Sequence, residues 1–160
     1  MLLARAVVNL LKQRPTDFPR LRVVVVGAGP LHADIQRVFD DAGEGWRLWM
    51  PGGRSDIAAI LRQLHCFVLP SQAEGTSCTL QEAMATALPI IATRVGGNTS
   101  LLQDGQLGTL VPSDDVAAMS GAIASRYGVS TRNMAAHDFV RETYDLQSVL
   151  SRYRQLFTKG

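Results

Sequence analysis

Four short apolar runs, none of them alternating with polar residues, fix the kind of sheet this chain can build: Leu21-Arg-Val-Val-Val-Val26, Cys66-Phe-Val-Leu69, Pro89-Ile-Ile-Ala92 and Leu107 to Val111. A strand that is apolar on both faces belongs in a parallel sheet with helices covering both sides. Gly27, Pro70 and Pro112 stop three of the runs directly, as chain-breaking residues do. A shorter strand is expected at Trp46 to Trp49. Helical composition falls between and after the runs, at about residues 2–13, 31–42, 56–64, 79–86, 99–103, 115–126, 131–143 and 146–158. In the last of these Leu146, Leu150, Tyr153 and Phe157 share one face, the mark of an amphipathic helix. Alternating strand and helix units specify an α/β fold, a Rossmann-like doubly wound parallel sheet flanked by helices.

At 160 residues and 46% hydrophobic, the chain is expected to form one domain burying roughly 70% of its unfolded surface. The 16 Lys and Arg nearly balance 14 Asp and Glu for a net charge of +2. They are scattered rather than clustered, so no nucleic-acid footprint is visible. No stretch reaches the roughly 18 apolar residues a membrane span needs, and the N-terminus lacks signal-peptide features, so the expected location is cytoplasmic. Cys66 and Cys78 have neither disulfide-scaffold nor zinc-ligand spacing and are expected to be free thiols.

The chemistry concentrates in residues 71–78, the loop between the Cys66–Leu69 strand and the following helix. In open α/β sheets ligands bind beyond the carboxyl ends of the strands, where a helix start presents free N–H groups and its positive dipole end to an anion. Here Glu74-Gly-Thr-Ser-Cys-Thr-Leu-Gln-Glu82 places two carboxylates around such a turn. Thr79-Leu-Gln-Glu82 also reads as a capping box, with Glu82 returning to the Thr79 N–H. Gly27-Ala-Gly29-Pro-Leu-His32 follows a strand and opens a helix, which suggests a dinucleotide site. That reading fails, because the third position is His32 and no acidic residue ends the next strand at Trp49-Met50. His32, His65 and His137 have no catalytic partner at useful spacing and are read as structural.

Phe67-Val-Leu-Pro-Ser71, Glu74-Gly75, Glu82-Ala-Met-Ala85, Leu88-Pro-Ile-Ile-Ala-Thr93 and Val95-Gly-Gly-Asn98 occur in this order with tight spacing. Together they resemble the donor-binding half of retaining GT-B glycosyltransferases of glycosyltransferase family 4. The resemblance runs from the opening helix through Leu110-Val-Pro112 into the C-terminal helices. Segments such as Met50-Pro-Gly52 and Arg54-Ser-Asp-Ile57 are similar to bacterial enzymes of exopolysaccharide or lipopolysaccharide assembly.

The resemblance implies transfer of a hexosyl group from a nucleoside-diphosphate sugar to a saccharide or lipid-linked acceptor with retention. It implies no cofactor and no metal. Glu74, the first carboxylate of the pair, would be the catalytic residue, near the donor sugar and diphosphate. The Gly75, Thr76 and Ser77 N–H groups would face the diphosphate, and Glu82 the ribose hydroxyls. Gly96 and Gly97 would leave room for the donor, Arg54 would border the base, and Gly27 and Gly29 would shape a further donor-side turn. A GT-B enzyme has two such domains, so residues 1–160 are expected to be one nucleotide-sugar-binding domain, inactive alone. The N-terminal acceptor domain, with an Arg and a Lys that grip the diphosphate, would be absent. Peripheral association of the full enzyme with the inner face of the membrane is left open. The sequence departs from the family at Ala28, at Ala87 where a glycine is usual, and at Ser100 where a glutamate is usual. Two alternatives stay open: a non-hydrolysing UDP-sugar epimerase domain and a non-catalytic nucleotide-binding module.

Overall fold

The computed structural model describes residues 1–158. Among the described residues five strands appear, paired in parallel within each ladder: β1 (Val23–Val26), β2 (Leu48–Gly52), β3 (Phe67–Leu69), β4 (Ile90–Thr93) and β5 (Thr109–Val111). They form two ladders, β1–β2 and β3–β4–β5. In the first, Val23 stands opposite Leu48 and Val24 opposite Trp49, with an irregularity before Val26 meets Gly52. In the second, Phe67, Val68 and Leu69 stand opposite Ile90, Ile91 and Ala92, and β5 continues with Thr109 beside Ile91. The helices are α1 (Leu2–Gln13), α2 (His32–Asp40), α3 (Ile57–Gln63), α4 (Cys78–Ala85), α5 (Gly96–Leu101), α6 (Val116–Arg126), α7 (Met134–Tyr144) and α8 (Leu146–Phe157).

Every residue of β4 is buried, and its alternation sorts the core into two halves. Ile91 joins the cluster of Leu2, Val7, Leu11, Phe39, Met119 and Ile123 contributed largely by α1 and α6. Ile90 and Ala92 face the other way, into Leu80, Met84, Leu102, Ala136 and Val140 from α4, α7 and the α5 region. Side chains of a strand alternate between faces, so one four-residue segment anchors both helical layers. Burying each large aliphatic side chain contributes about 1.5–3 kcal/mol. On the α1 side, helices approach closely at small residues: Ser120 Oγ lies 2.8 Å from the Ala6 carbonyl oxygen and accepts from Asn9 Nδ2 at 3.3 Å.

Several elements differ from the sequence reading. Residues Gly45–Arg47 form a 3₁₀ turn and β2 starts at Leu48, because Arg47 is drawn inward. Only 6% exposed, its guanidinium donates to the carbonyls of Phe18, Pro19 and Leu21 and its Nε to Glu44. Trp46 is left outside, within 4.3 Å of both the Arg22 and Arg47 guanidiniums. Next, α5 starts at Gly96 rather than Thr99. Finally, Leu146, Tyr153 and Phe157 of α8 are 65%, 57% and 82% exposed among the described residues, so the apolar face predicted there is formed but uncovered.

No helix among the described residues is long and apolar enough to cross a membrane.

Candidate functional site: the loops at the ends of β3 and β4

The loop after β3 is held from β4. The buried Thr93 hydroxyl donates to the Ser71 carbonyl at 2.5 Å, and the Ser71 hydroxyl donates to Glu74 Oε1 at 2.6 Å. From below, Asn98 Nδ2 donates to the Thr93 carbonyl at 3.2 Å. Asn98 is fully buried, and its Oδ1 has no partner among the described residues. Glu74 is thus gripped at its carboxylate by Ser71 and at its main chain by α5, where the Gly97 N–H donates to the Glu74 carbonyl at 3.1 Å.

The two glycines of α5 have a sharp steric requirement. A Cβ on Gly96 would collide with the Glu74 carbonyl oxygen, and one on Gly97 with that of Gly75. Gly96 also has φ +39, a backbone region costly for other residues. The room these glycines leave is therefore occupied by the Glu74–Gly75 backbone. A Cβ on Gly75, by contrast, would meet nothing within 4 Å, so its own surroundings are open.

The start of α4 corrects the expected capping box. The N-cap is Ser77, two residues before Thr79, and its Oγ accepts from the Leu80 N–H at 3.3 Å. Thr79 sits inside the helix, its hydroxyl 3.1 Å from Ser77 Oγ. Glu82 consequently lies in the second turn, exposed, its carboxylate making no hydrogen bond to the described residues. The Cys78 and Thr79 N–H groups, which no helical carbonyl can reach, also lack a described partner. Sequence reasoning placed the anion-facing N–H groups at 75–77. The earlier helix start adds residues 78 and 79 to that set, and no capping-box pattern at Ser77 marked it in the sequence, because position 80 is Leu rather than Glu or Gln.

The remaining expected residues lie elsewhere. Gly27 adopts φ +128 at the end of β1 and donates its N–H to the Gly52 carbonyl at 2.9 Å. Gly29 is exposed, and a Cβ there would meet nothing within 4 Å. Arg54 forms a two-pronged ion pair with Asp56, both contacts at 2.8 Å. The hydrogen bond that Arg54 donates to Asp56 raises the Arg54 pKa, and the same bond lowers that of Asp56. Thr76 is exposed beside Gly75. Ala87 takes φ +55 just after α4, with Ala87 N–H on the Met84 carbonyl and Leu88 N–H on that of Ala83, a helix-ending motif that favours glycine. Cys66 and Cys78 are free thiols, the first partly buried and the second exposed. Among the described residues no three His, Cys, Asp or Glu side chains converge as metal ligands.

The parallel α/β fold, with helices on the strands' flanks, is a Rossmann-like unit of GT-B type. Residues 1–127 match the family described as glycosyl transferases group 1, and the chain belongs to that family. It is 35% identical over 101 residues to UDP-Gal:alpha-D-GlcNAc-diphosphoundecaprenol alpha-1,3-galactosyltransferase of Escherichia coli, covering 62% of this chain and 26% of the relative. It is 37% identical over 95 residues to lipopolysaccharide core biosynthesis mannosyltransferase LpsB of Rhizobium meliloti strain 1021, covering 58% and 27%. The pneumococcal O-GlcNAc transferase GtfA, solved with UDP and GlcNAc, superposes with TM-score 0.82 at 22% identity, over 99% of this chain and 32% of that one. The chain thus spans about a quarter to a third of the length of these proteins. The family match does not favour the epimerase or non-catalytic alternatives.

Proposed function

We propose that this chain is the nucleotide-sugar-binding domain of a retaining glycosyltransferase, moving a hexosyl group from a nucleoside diphosphate to a saccharide or lipid-linked acceptor. One observation carries the reading: the Glu74–Gly75 backbone is locked against Gly96–Gly97 directly before the open start of α4. The diphosphate would sit at Gly75 to Thr79, where free N–H groups and the helix dipole favour negative charge. As the glycosidic bond breaks, charge grows on the diphosphate, and preoriented donors stabilise it without solvent reorganisation. Glu74, oriented by Ser71, would contact the sugar. Glu82, free of any capping role, would accept from the ribose hydroxyls, and Arg54 would reach a base only by leaving Asp56.

The relative acting on a diphosphoundecaprenol-linked sugar supports a lipid-linked acceptor. In this reading the acceptor binds a second domain, transfer needs no metal, and the enzyme works on the cytoplasmic side of the membrane. The test is a chemical-shift titration with UDP. Changes clustered at residues 74–80 and 96–99, unaltered by EDTA, are expected. Changes centred on Gly27 to His32 would overturn the assignment.

A further inference from the structure

The β3–β4–β5 ladder has a second end. The donor loops leave the carboxyl ends of the strands, whereas Ile90 and Thr109, the first residues of β4 and β5, line a cavity of about 240 Å³. Its walls include Arg126 at the end of α6, and Thr131 and Arg132 ahead of α7, with Gln106 at the rim. No Asp or Glu lines it. The ion pairs among the described residues use Arg37, Arg47, Arg54 and Arg94, and neither Arg126 nor Arg132. The side chain of Arg132 makes one long contact, 3.5 Å to the Thr86 carbonyl. Two arginines therefore share a recess without a counter-charge, beside hydroxyls and an amide.

An anion in the recess would meet two positive charges on its walls and no negative one. The planar guanidinium fork matches a tetrahedral oxyanion better than an ammonium does. The volume falls just short of the roughly 300 Å³ at which drug-sized sites begin, which suits a small ligand. We propose that the cavity between Arg126 and Arg132 binds a phosphate group, free or as the monoester of a small molecule, at a site separate from the donor loops.

The test titrates ¹⁵N-labelled protein, at constant ionic strength in phosphate-free buffer, with inorganic phosphate and separately with glycerol 3-phosphate. Saturable amide shifts at Gln106, Gly108, Thr109, Thr131 and Arg132 are expected. Tighter binding of the glycerol ester would mark a monoester as the ligand, and equal or weaker binding would mark free phosphate. The R126Q/R132Q variant should bind about tenfold more weakly or worse, as loss of charged hydrogen bonds implies. Should that variant unfold, Gln106→Glu puts a carboxylate at the exposed rim while keeping both arginines, and should abolish the shifts. Shifts confined to residues 74–80, no saturable shifts at 105–109 and 131–133, or undiminished affinity in a folded variant would each overturn the proposal.

Discussion

The main-chain N–H of Gly97 donates to the carbonyl oxygen of Glu74 across 3.1 Å, tying the first turn of α5 to the loop after β3. Gly97→Ala would drive a methyl into the Gly75 carbonyl. The expected cost is about 1–3 kcal/mol, as for other overpacked sites, together with weaker UDP binding. Gly75→Val, at a position with open surroundings, should weaken UDP binding and leave the melting temperature nearly unchanged. Thermal unfolding by circular dichroism and calorimetric titration separate the two.

Ser77 and Glu82 should part company in the same measurements. Ser77 holds the Leu80 N–H, so Ser77→Ala is expected to lose about 1 kcal/mol of stability. Glu82→Gln should leave stability unchanged and weaken UDP binding by about 1.5–3 kcal/mol if charged hydrogen bonds to the ribose are lost. A 2′-deoxy nucleotide should show a similar loss on the parent protein. A Glu82→Gln variant that melts early but binds normally would refute the ribose role.

At Ala87, glycine and valine are expected to differ sharply in cost. Glycine relieves left-handed strain of roughly 1–2 kcal/mol but gives back about 0.4–1 kcal/mol of chain entropy and loses a buried methyl. Ala87→Gly should therefore shift stability by less than about 1 kcal/mol. Ala87→Val adds volume at a buried site and forces a β-branched side chain to φ +55, so a loss on the order of 2–3 kcal/mol is expected in urea unfolding.

Burial pushes the Cys66 thiol up from its ordinary 9.0 to about 11, only partly opposed by the charge of Arg126. The unfolded thiol ionises first as pH rises. The contribution is therefore fully present below pH 9 and lost as pH climbs to about 11, amounting to about 2–3 kcal/mol. Unfolding free energies of parent and Cys66→Ala, measured from pH 8 to 11, should converge by that amount. Exposed Cys78 should react with iodoacetamide at pH 8 well before Cys66.

The unalternating runs at Val23–Val26, Ile90–Thr93 and Thr109–Val111 made the parallel α/β architecture legible from sequence, because a strand buried on both faces can carry few polar residues. The order of Glu74-Gly75, Glu82-Ala-Met-Ala85 and Gly96-Gly97 carried the family for the same local reason: each turn demands particular residue types. What sequence could not supply were the long-range contacts. Thr79 looked like the cap, yet Ser77 is, since the helix start depends on how Thr93 and Gly97 draw in the preceding loop. Arg47 read as part of a strand, but three carbonyls 26 to 29 residues away turned it inward. Gly96 and Gly97 read as room for a ligand, whereas the tertiary fold filled that room with the Glu74–Gly75 backbone. Periodicity and turn chemistry are local and survive in one dimension; close approaches between distant segments depend on packing, which only the folded chain decides.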